Sequence, residues 1–351
     1  MKNTCAALAG KQQFCLVEEE FRISGTPLVQ VTHVGICGTD MDWWLEGENH
    51  VGQVLGHEFA GTVVDPGDSD LRVGDRVAGY TQNIQNEACG HCEACLRGDR
   101  DGCTNRKVYT WKGGDLSHPG AYSRYTTWFP ASFFRLPDNV SNEAGALLEP
   151  LAVTLHAVNR TDVRPGDKVL VLGGGIIGCS TAEWCRSKGA GLVVITEIVP
   201  EKRDVICGFG CADHVLDAAA EDLFARYQEL SEGGFDVVFD CCGVAAAVNG
   251  AIVHAFKEDV RARKCMTSVV LHRGEEMAIR YNDLILKEIV WKGTKGHFPE
   301  EFVQVLDAVA AGKVNVTKFI TKKIPFADLQ KGFEELKAMG GTPGKAMLVM
   351  D

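Results

Sequence analysis

The residues best placed to do chemistry stand in two glycine-flanked runs, Gly35-Ile36-Cys37-Gly38-Thr39-Asp40 and Gly56-His57-Glu58-Phe59-Ala60-Gly61. A thiolate, an imidazole and a carboxylate are the donors of an open zinc site, in which one coordination position is kept for water or substrate. The flanking glycines permit tight turns and close backbone approach, so the pattern places Cys37, His57 and Glu58 on loops. Either run alone fits a buried structural cysteine or a satisfied core histidine equally well. Together, and with the motifs downstream, they favour a catalytic metal.

A second donor cluster follows. Cys89-Gly90-His91-Cys92-Glu93-Ala94-Cys95 precedes Cys103 by seven intervening residues. Four thiolates fill a tetrahedral zinc shell, and their close spacing keeps the loop entropy lost on ligation small. A filled shell has no place for substrate, so Cys89, Cys92, Cys95 and Cys103 are predicted to hold a structural metal. His91 is an alternative ligand, although four cysteines already suffice. A nucleic-acid zinc ribbon would bring a basic surface, and this chain carries a formal net charge of −11.

Glu149 lies in the apolar run Ala144 to Leu155, where a carboxylate is costly to bury unless it is paired or metal-bound. A helix is predicted to start at Ser141 and to break or kink at Pro150, immediately after Glu149. Glu149 is the candidate for the remaining metal ligand. The alternative is an exposed carboxylate at a helix end.

The strand-like run Val169-Leu170-Val171-Leu172 enters Gly173-Gly174-Gly175-Ile176-Ile177-Gly178, which matches the dinucleotide fingerprint with Gly173, Gly175 and Gly178 in the three glycine positions. Ile176 and Ile177 then open a helix whose N–H groups and dipole meet a pyrophosphate. A second apolar strand, Leu192 to Thr196, ends at Glu197, nineteen residues beyond Gly178, close to where a ribose-binding acid is expected. Such a carboxylate would face the 2′-phosphate of NADP as a like charge, so NAD is the predicted cofactor. Lys202 and Arg203 follow at the start of the next helix, where they can soften that repulsion or one of them can instead stack on the adenine.

These groups need two kinds of scaffold. The first part of the chain reads as short alternating strands separated by Gly, Pro and Asp turns, a compact barrel or sandwich with function on its loops. From Lys168 onward strands and helices alternate, with strands expected near His214–Leu216, Phe235–Asp240, Thr267–Leu271 and Ile289–Lys292, as in a doubly wound parallel sheet. The tail carries two amphipathic helices and a last strand, Lys345 to Met350, predicted to return to the first domain. With 351 residues, 45% of them hydrophobic, the chain has enough material for about two cores. Its acidic balance and lack of basic runs argue against nucleic acid or an anionic membrane as partners. Gly10, Lys11, Gln12 and Gln13 interrupt the early apolar residues, so neither a signal peptide nor a transmembrane span is predicted, and the protein is expected in the cytoplasm. Fourteen cysteines in that setting point to metal ligation and buried free thiols rather than disulfides.

In this order the motifs resemble the zinc-dependent medium-chain alcohol dehydrogenase family, over nearly the whole chain. The resemblance implies an α/β protein with a GroES-like, β-rich catalytic domain from 1–155 and 296–351 and a Rossmann domain from 156–295. It implies one catalytic and one structural Zn2+, NAD, and a homotetramer or homodimer. Cys37 and His57 then correspond to catalytic zinc ligands and Glu58 and Glu149 to direct or exchanging carboxylates. Thr39 corresponds to the hydroxyl that relays the substrate proton. The Glu149-Pro150 pair is similar to the sorbitol and butanediol dehydrogenase branches, whereas threonine dehydrogenases usually carry Asp there.

Two departures stand out: Asp42 occupies a position that is often His in these branches, and the segment from Lys257 to Glu276 lacks the usual glycine pair. The implied reaction is hydride transfer between a secondary alcohol or its ketone and nicotinamide, on a polyol, sugar alcohol or vicinal diol whose second hydroxyl gives another polar anchor. Trp43 and Trp44 are candidates to line the cleft, with one of them equally suited to the core. The alternatives are oxidation of an amino alcohol, as in threonine dehydrogenases, and a non-catalytic nucleotide-binding regulator.

Overall fold

The computed structural model describes residues 2–20, 25–80, 91–97, 103–104, 119–128, 130–259, 261–272, 274 and 276–350. Strands β1 (Lys2–Gly10) and β2 (Gln13–Glu20) form an antiparallel hairpin. They are followed by β3 (Leu28–Gly35), α1 (Gly38–Glu46), β4 (Glu58–Asp65), β5 (Arg76–Gly79) and a short α2 (Glu93–Leu96). Next come β6 (Tyr125–Thr127), β7 (Phe133–Arg135), α3 (Asn142–Ala146) and α4 (Leu148–Thr161).

A regular alternation begins at β8 (Lys168–Leu172). It runs through α5 (Ile176–Ser187), β9 (Leu192–Glu197), α6 (Pro200–Phe209), β10 (His214–Asp217), α7 (Leu223–Ser231), β11 (Val237–Asp240), α8 (Ala245–His254), β12 (Cys265–Ser268), α9 (Tyr281–Leu286) and β13 (Val290–Gly293). The chain closes with α10 (Pro299–Ala310), β14 (Ile320–Pro325), α11 (Leu329–Ala338) and β15 (Lys345–Val349).

The alternating strands form a six-stranded parallel sheet in the order β10-β9-β8-β11-β12-β13. This is the doubly wound order, and its direction reverses beside β8, the strand that leads into the glycine turn. The second sheet has seven strands, running β14-β15-β3-β4-β5-β7 with β6 also on β3. β15 pairs antiparallel with β3, so this late strand is built into the seven-stranded sheet, as its apolar pattern predicts.

Alternation along the buried strands sorts side chains onto two faces of the parallel sheet. Val169 and Val171 pack with α4 and α5, whereas Leu170 and Leu172 pack with Phe235, Ile252 and Phe256. Helix α4 shares the first of these clusters with Ala60, Ala78 and Met347 of the other sheet. One buried helix therefore bridges the two sheets, and Glu149 lies in its first turn. A third core gathers Trp44, Phe59, Tyr122 and Phe333 with residues of the seven-stranded sheet.

Several expectations need correction. Pro150 does not end a helix: the break falls at Leu147, and Pro150 occupies the first turn of α4, where its missing N–H has no intrahelical partner to lose. Glu58 is the first residue of β4 and is not on a loop. The strand expected at Thr267–Leu271 is Cys265–Ser268, because Cys265 and Met266 are the residues that pair with β11. Of the two tryptophans, Trp44 belongs to the core and Trp43 stacks on His50, with centroids 4.3 Å apart. Among the described residues no helix is long and apolar enough to cross a membrane.

Candidate functional site

Cys37 ends the turn after β3 and starts α1. Its carbonyl accepts from the Met41 N–H at 3.2 Å, while its own N–H donates to Asp40 Oδ2 at 3.0 Å. That helix start answers to the sequence: Asp40 stands three residues after the cap, where a carboxylate can reach back to the cap N–H and meet the helix dipole. His57 precedes β4, with Nδ1 3.4 Å from Asp40 Oδ1. Burial raises the Asp40 carboxyl, but His57, the Cys37 N–H and the Tyr122 hydroxyl outweigh it and hold the group below its ordinary value. Burial would likewise lower the His57 imidazole, yet Asp40 and Cys37 hold it well above the usual range.

Glu58 faces the same centre from the start of β4, opposite Gly35 in the β3–β4 register. A side chain at Gly35 would collide with the Glu58 carboxylate, so the glycine is needed for the close approach. Glu58 and Lys345 are 1% and 2% exposed, and Lys345 Nζ donates to Glu58 Oε1 at 2.8 Å and to the Ile36 carbonyl at 3.1 Å. Burial pulls the Lys345 ammonium down, but the adjacent Glu58 carboxylate holds it above its ordinary value. The donor atoms of Cys37, His57 and Glu58 lie within 4.8 Å of one another.

Glu149 approaches from α4 and is 8% exposed, with His297 Nε2 3.5 Å from its Oε1. Burial raises the Glu149 carboxyl, but His297, then His57 and Lys345, bring it down to about 2. It is therefore an anion beside the cluster at neutral pH. Thr39 is exposed on the first turn of α1, and Asp42 is half-buried one turn further.

Cys92, Cys95 and Cys103 form a separate cluster, with donor atoms within 4.8 Å of one another and the Cys92 and Cys95 sulfurs 3.4 Å apart. Cys89 lies outside the described residues, and His91 is exposed.

In the glycine turn, Gly173 directly follows β8, Gly175 caps α5, and Ile176 and Ile177 form its first turn. A Cβ on Gly178 would collide with the Gly173 carbonyl oxygen, so only glycine lets helix and turn pack this closely. Glu197, 9% exposed at the end of β9, accepts from the Gly174 N–H at 3.0 Å and the Val199 N–H at 3.0 Å. Arg203 donates to the Glu197 and Ile198 carbonyls and pairs with Asp217 at 3.0 Å, which places its charge beside the same strand end. Gly175 and Gly344 form a parallel bridge, so the glycine turn touches the chain one residue before Lys345.

The alcohol dehydrogenase GroES-like domain matches residues 24–138, and the zinc-binding dehydrogenase domain matches residues 177–311. The uncharacterized zinc-type alcohol dehydrogenase-like protein YdjJ of Escherichia coli (strain K12) is 32% identical over 350 residues, with 95% of each chain covered. The chain belongs to the zinc-binding alcohol dehydrogenase family. A sorbitol dehydrogenase of Halalkalibacterium halodurans is 30% identical over 319 residues, 88% of each chain. The crystal structure of L-idonate 5-dehydrogenase from Escherichia coli matches with a TM-score of 0.83 at 27% identity, over 99% of this chain and 98% of that one. The α/β architecture expected of this family, a GroES-like unit with a Rossmann sheet, is the one found.

Four residues of this alcohol dehydrogenase were not assigned from sequence: Asp40, Tyr122, His297 and Lys345. Asp40 carried a readable signal, an acid three residues after a helix-opening Cys. Lys345 carried a faint one, a single charge at the head of an apolar strand. Tyr122 and His297 had none, since their partners lie 82 and 148 positions away in sequence.

The buried ion pair makes a direct demand on stability. Lys345→Met removes the cation paired with the buried Glu58 carboxylate and is expected to cost about 3–5 kcal/mol in denaturant unfolding. Glu58→Gln combined with Lys345→Met is expected to cost clearly less than Lys345→Met alone. A double variant as destabilised as the single one would show that the pair does not govern the loss.

Proposed function

We propose that this protein is a zinc-dependent, NAD-linked dehydrogenase that oxidises a secondary hydroxyl of a polyol, sugar alcohol or vicinal diol and reduces the corresponding ketone. The observation that carries the proposal is the convergence of Cys37, His57 and Glu58 donor atoms within 4.8 Å, with the glycine turn tied nearby through the Gly175–Gly344 bridge next to Lys345, the partner of Glu58. This donor set fits zinc: one thiolate, one imidazole and one carboxylate make three protein ligands, as in open sites. Glu149 is the further carboxylate, a direct or exchanging ligand. Bound there, zinc supplies a Lewis acid that makes the substrate hydroxyl more acidic, while nicotinamide takes the hydride.

The chain's own groups do the rest. Asp40 holds the Nδ1 side of His57, which leaves the other ring nitrogen as the donor. Lys345 neutralises Glu58, and His297 lies beside Glu149 with its Nε2 3.5 Å from Oε1. Thr39, exposed two residues beyond Cys37, is placed to pass the substrate proton toward solvent. The Gly173–Gly178 turn and the α5 N-terminus receive the pyrophosphate, with Ile176 and Ile177 presenting backbone N–H groups. Glu197 is assigned to the adenosine ribose, with Arg203 beside it.

We assign residues 1–155 and 296–351 to the catalytic unit, 156–295 to the dinucleotide-binding unit, and the cysteine cluster, completed by Cys89, to a structural zinc. The polyol class draws support from the sorbitol and idonate dehydrogenases above. The Glu149-Pro150 pair favours it over amino alcohols. We further assign a homo-oligomer, because Ile285 and Leu286 on α9 and Val290 on the edge strand β13 are exposed side by side.

Three measurements test these assignments. Nicotinamide absorbance with a panel of polyols, diols and amino alcohols is expected to show turnover on polyols or diols. Cys37→Ser should abolish it with the fold intact, while Cys92→Ser should instead lower stability or solubility; full activity in Cys37→Ser would sink the catalytic assignment. NAD is expected to be preferred to NADP by about two orders of magnitude in kcat/KM, because the 2′-phosphate would meet Glu197 as a like charge. Glu197→Ala should narrow that gap mainly by improving NADP, and an unmodified enzyme that uses both equally would overturn the role given to Glu197. Light scattering should report a dimer or tetramer, and a monomer-sized particle at all concentrations would refute the oligomer.

A further inference from the structure

Asp40 is held in common by both metal-ligand segments. Its Oδ2 accepts from the N–H of Cys37 at 3.0 Å, and its Oδ1 accepts from the N–H of Gly56, the residue before His57, at 3.4 Å. Oδ1 also faces His57 Nδ1. The remaining partner comes from a third stretch of chain: the Tyr122 hydroxyl donates to Oδ2 at 2.9 Å.

Tyr122 does not depend on Asp40 for its place. Its N–H donates to the Leu55 carbonyl and its carbonyl accepts from the Ala6 N–H, both at 2.8 Å. Its ring, fully buried, lies edge-on to Phe14 and Phe333, with centroids 6.2 and 5.9 Å away. The hydroxyl is thus a fixed point against which the carboxylate is set. Without it Oδ2 keeps one donor, and the carboxylate can rotate away from the imidazole.

We propose that Tyr122 is a positioning residue for the metal ligand His57, acting through Asp40 to set which way the imidazole faces. This rests on the reading of Cys37, His57 and Glu58 as a zinc centre. Tyr122→Phe removes one oxygen and keeps the ring packing, so it separates positioning from filling of the core.

The test uses the full-length zinc-loaded protein and follows zinc release to a chromogenic chelator, with Cys37→Ser identifying the fraction that belongs to this site. Tyr122→Phe is expected to speed release of that fraction about tenfold, the low end of what partners of metal ligands contribute. Release of the remaining zinc should not change. In the cobalt-substituted protein the visible bands of the Cys37-dependent site should shift or broaden. Asp40→Asn with Tyr122→Phe should release no faster than Asp40→Asn alone, since the tyrosine acts only through the aspartate. Release and cobalt spectrum identical to the unmodified protein would overturn the proposal, whether or not the unfolding midpoint falls, and so would additive effects in the double variant. If Cys37→Ser removes no metal from the protein, the zinc-centre reading itself fails, and this inference with it.

Discussion

The structure depends on keeping carboxylates together away from water. Glu58 and Glu149 approach one place beside His57, and both are almost fully buried. Charges removed from water are tolerated only where opposite charge and hydrogen bonds compensate them. Lys345 answers Glu58, Asp40 answers His57, and His297 lies with Nε2 3.5 Å from Glu149 Oε1. Each compensating group comes from a different element, so these pairings also dictate how the elements meet. The last strand must lie on β3 for Lys345 to reach β4, and that pairing joins segments far apart in sequence, with Lys345 and Ile36 separated by 309 positions.

The same constraint joins the two sheets. Lys345 directly follows Gly344, which bridges Gly175 at the cap of the helix that opens the dinucleotide turn. Helix α4 does the complementary work from the other side, with apolar residues packed against both sheets and Glu149 at its head. The donor cluster and the glycine turn are thus linked at two points, one of them polar and one apolar. Hydride transfer needs its two reactants fixed relative to one another, and a scaffold tied in two places restricts their relative motion.

What the sequence made legible follows from the range over which each signal acts. The glycine turn, the parallel strands and the cysteine cluster are local: a few neighbouring residues define them, and both sheets and the Cys92, Cys95 and Cys103 cluster appear where expected. The convergence of Cys37 with His57 and Glu58 was readable because glycine-flanked ligands mark functional turns. The compensating residues were not. Lys345 reaches Glu58 across 287 positions and Tyr122 reaches Asp40 across 82, and nothing local to either residue names its partner. Pro150 misled for a related reason. Proline marks a helix boundary without saying on which side of it the helix lies, and only the packing of α4 decides that.

The two donor clusters are built on opposite principles. Cys92, Cys95 and Cys103 are close in sequence, so the loops they close are short, and little besides the ligation itself is needed to gather them. Cys37 stands at the cap of α1, with His57 just before β4 and Glu58 at its start, and the protein uses hydrogen bonds to hold them together. Asp40 ties the two segments through the N–H groups of Cys37 and Gly56, and Lys345 ties Glu58 to the Ile36 carbonyl beside Cys37. A site held by its surroundings can keep a coordination position open, because its geometry does not rely on a full shell of ligands. A cluster gathered by its own ligands has no such freedom. The two clusters therefore differ in support as well as in donor type: closeness in sequence gathers one, and hydrogen bonds from separate elements hold the other.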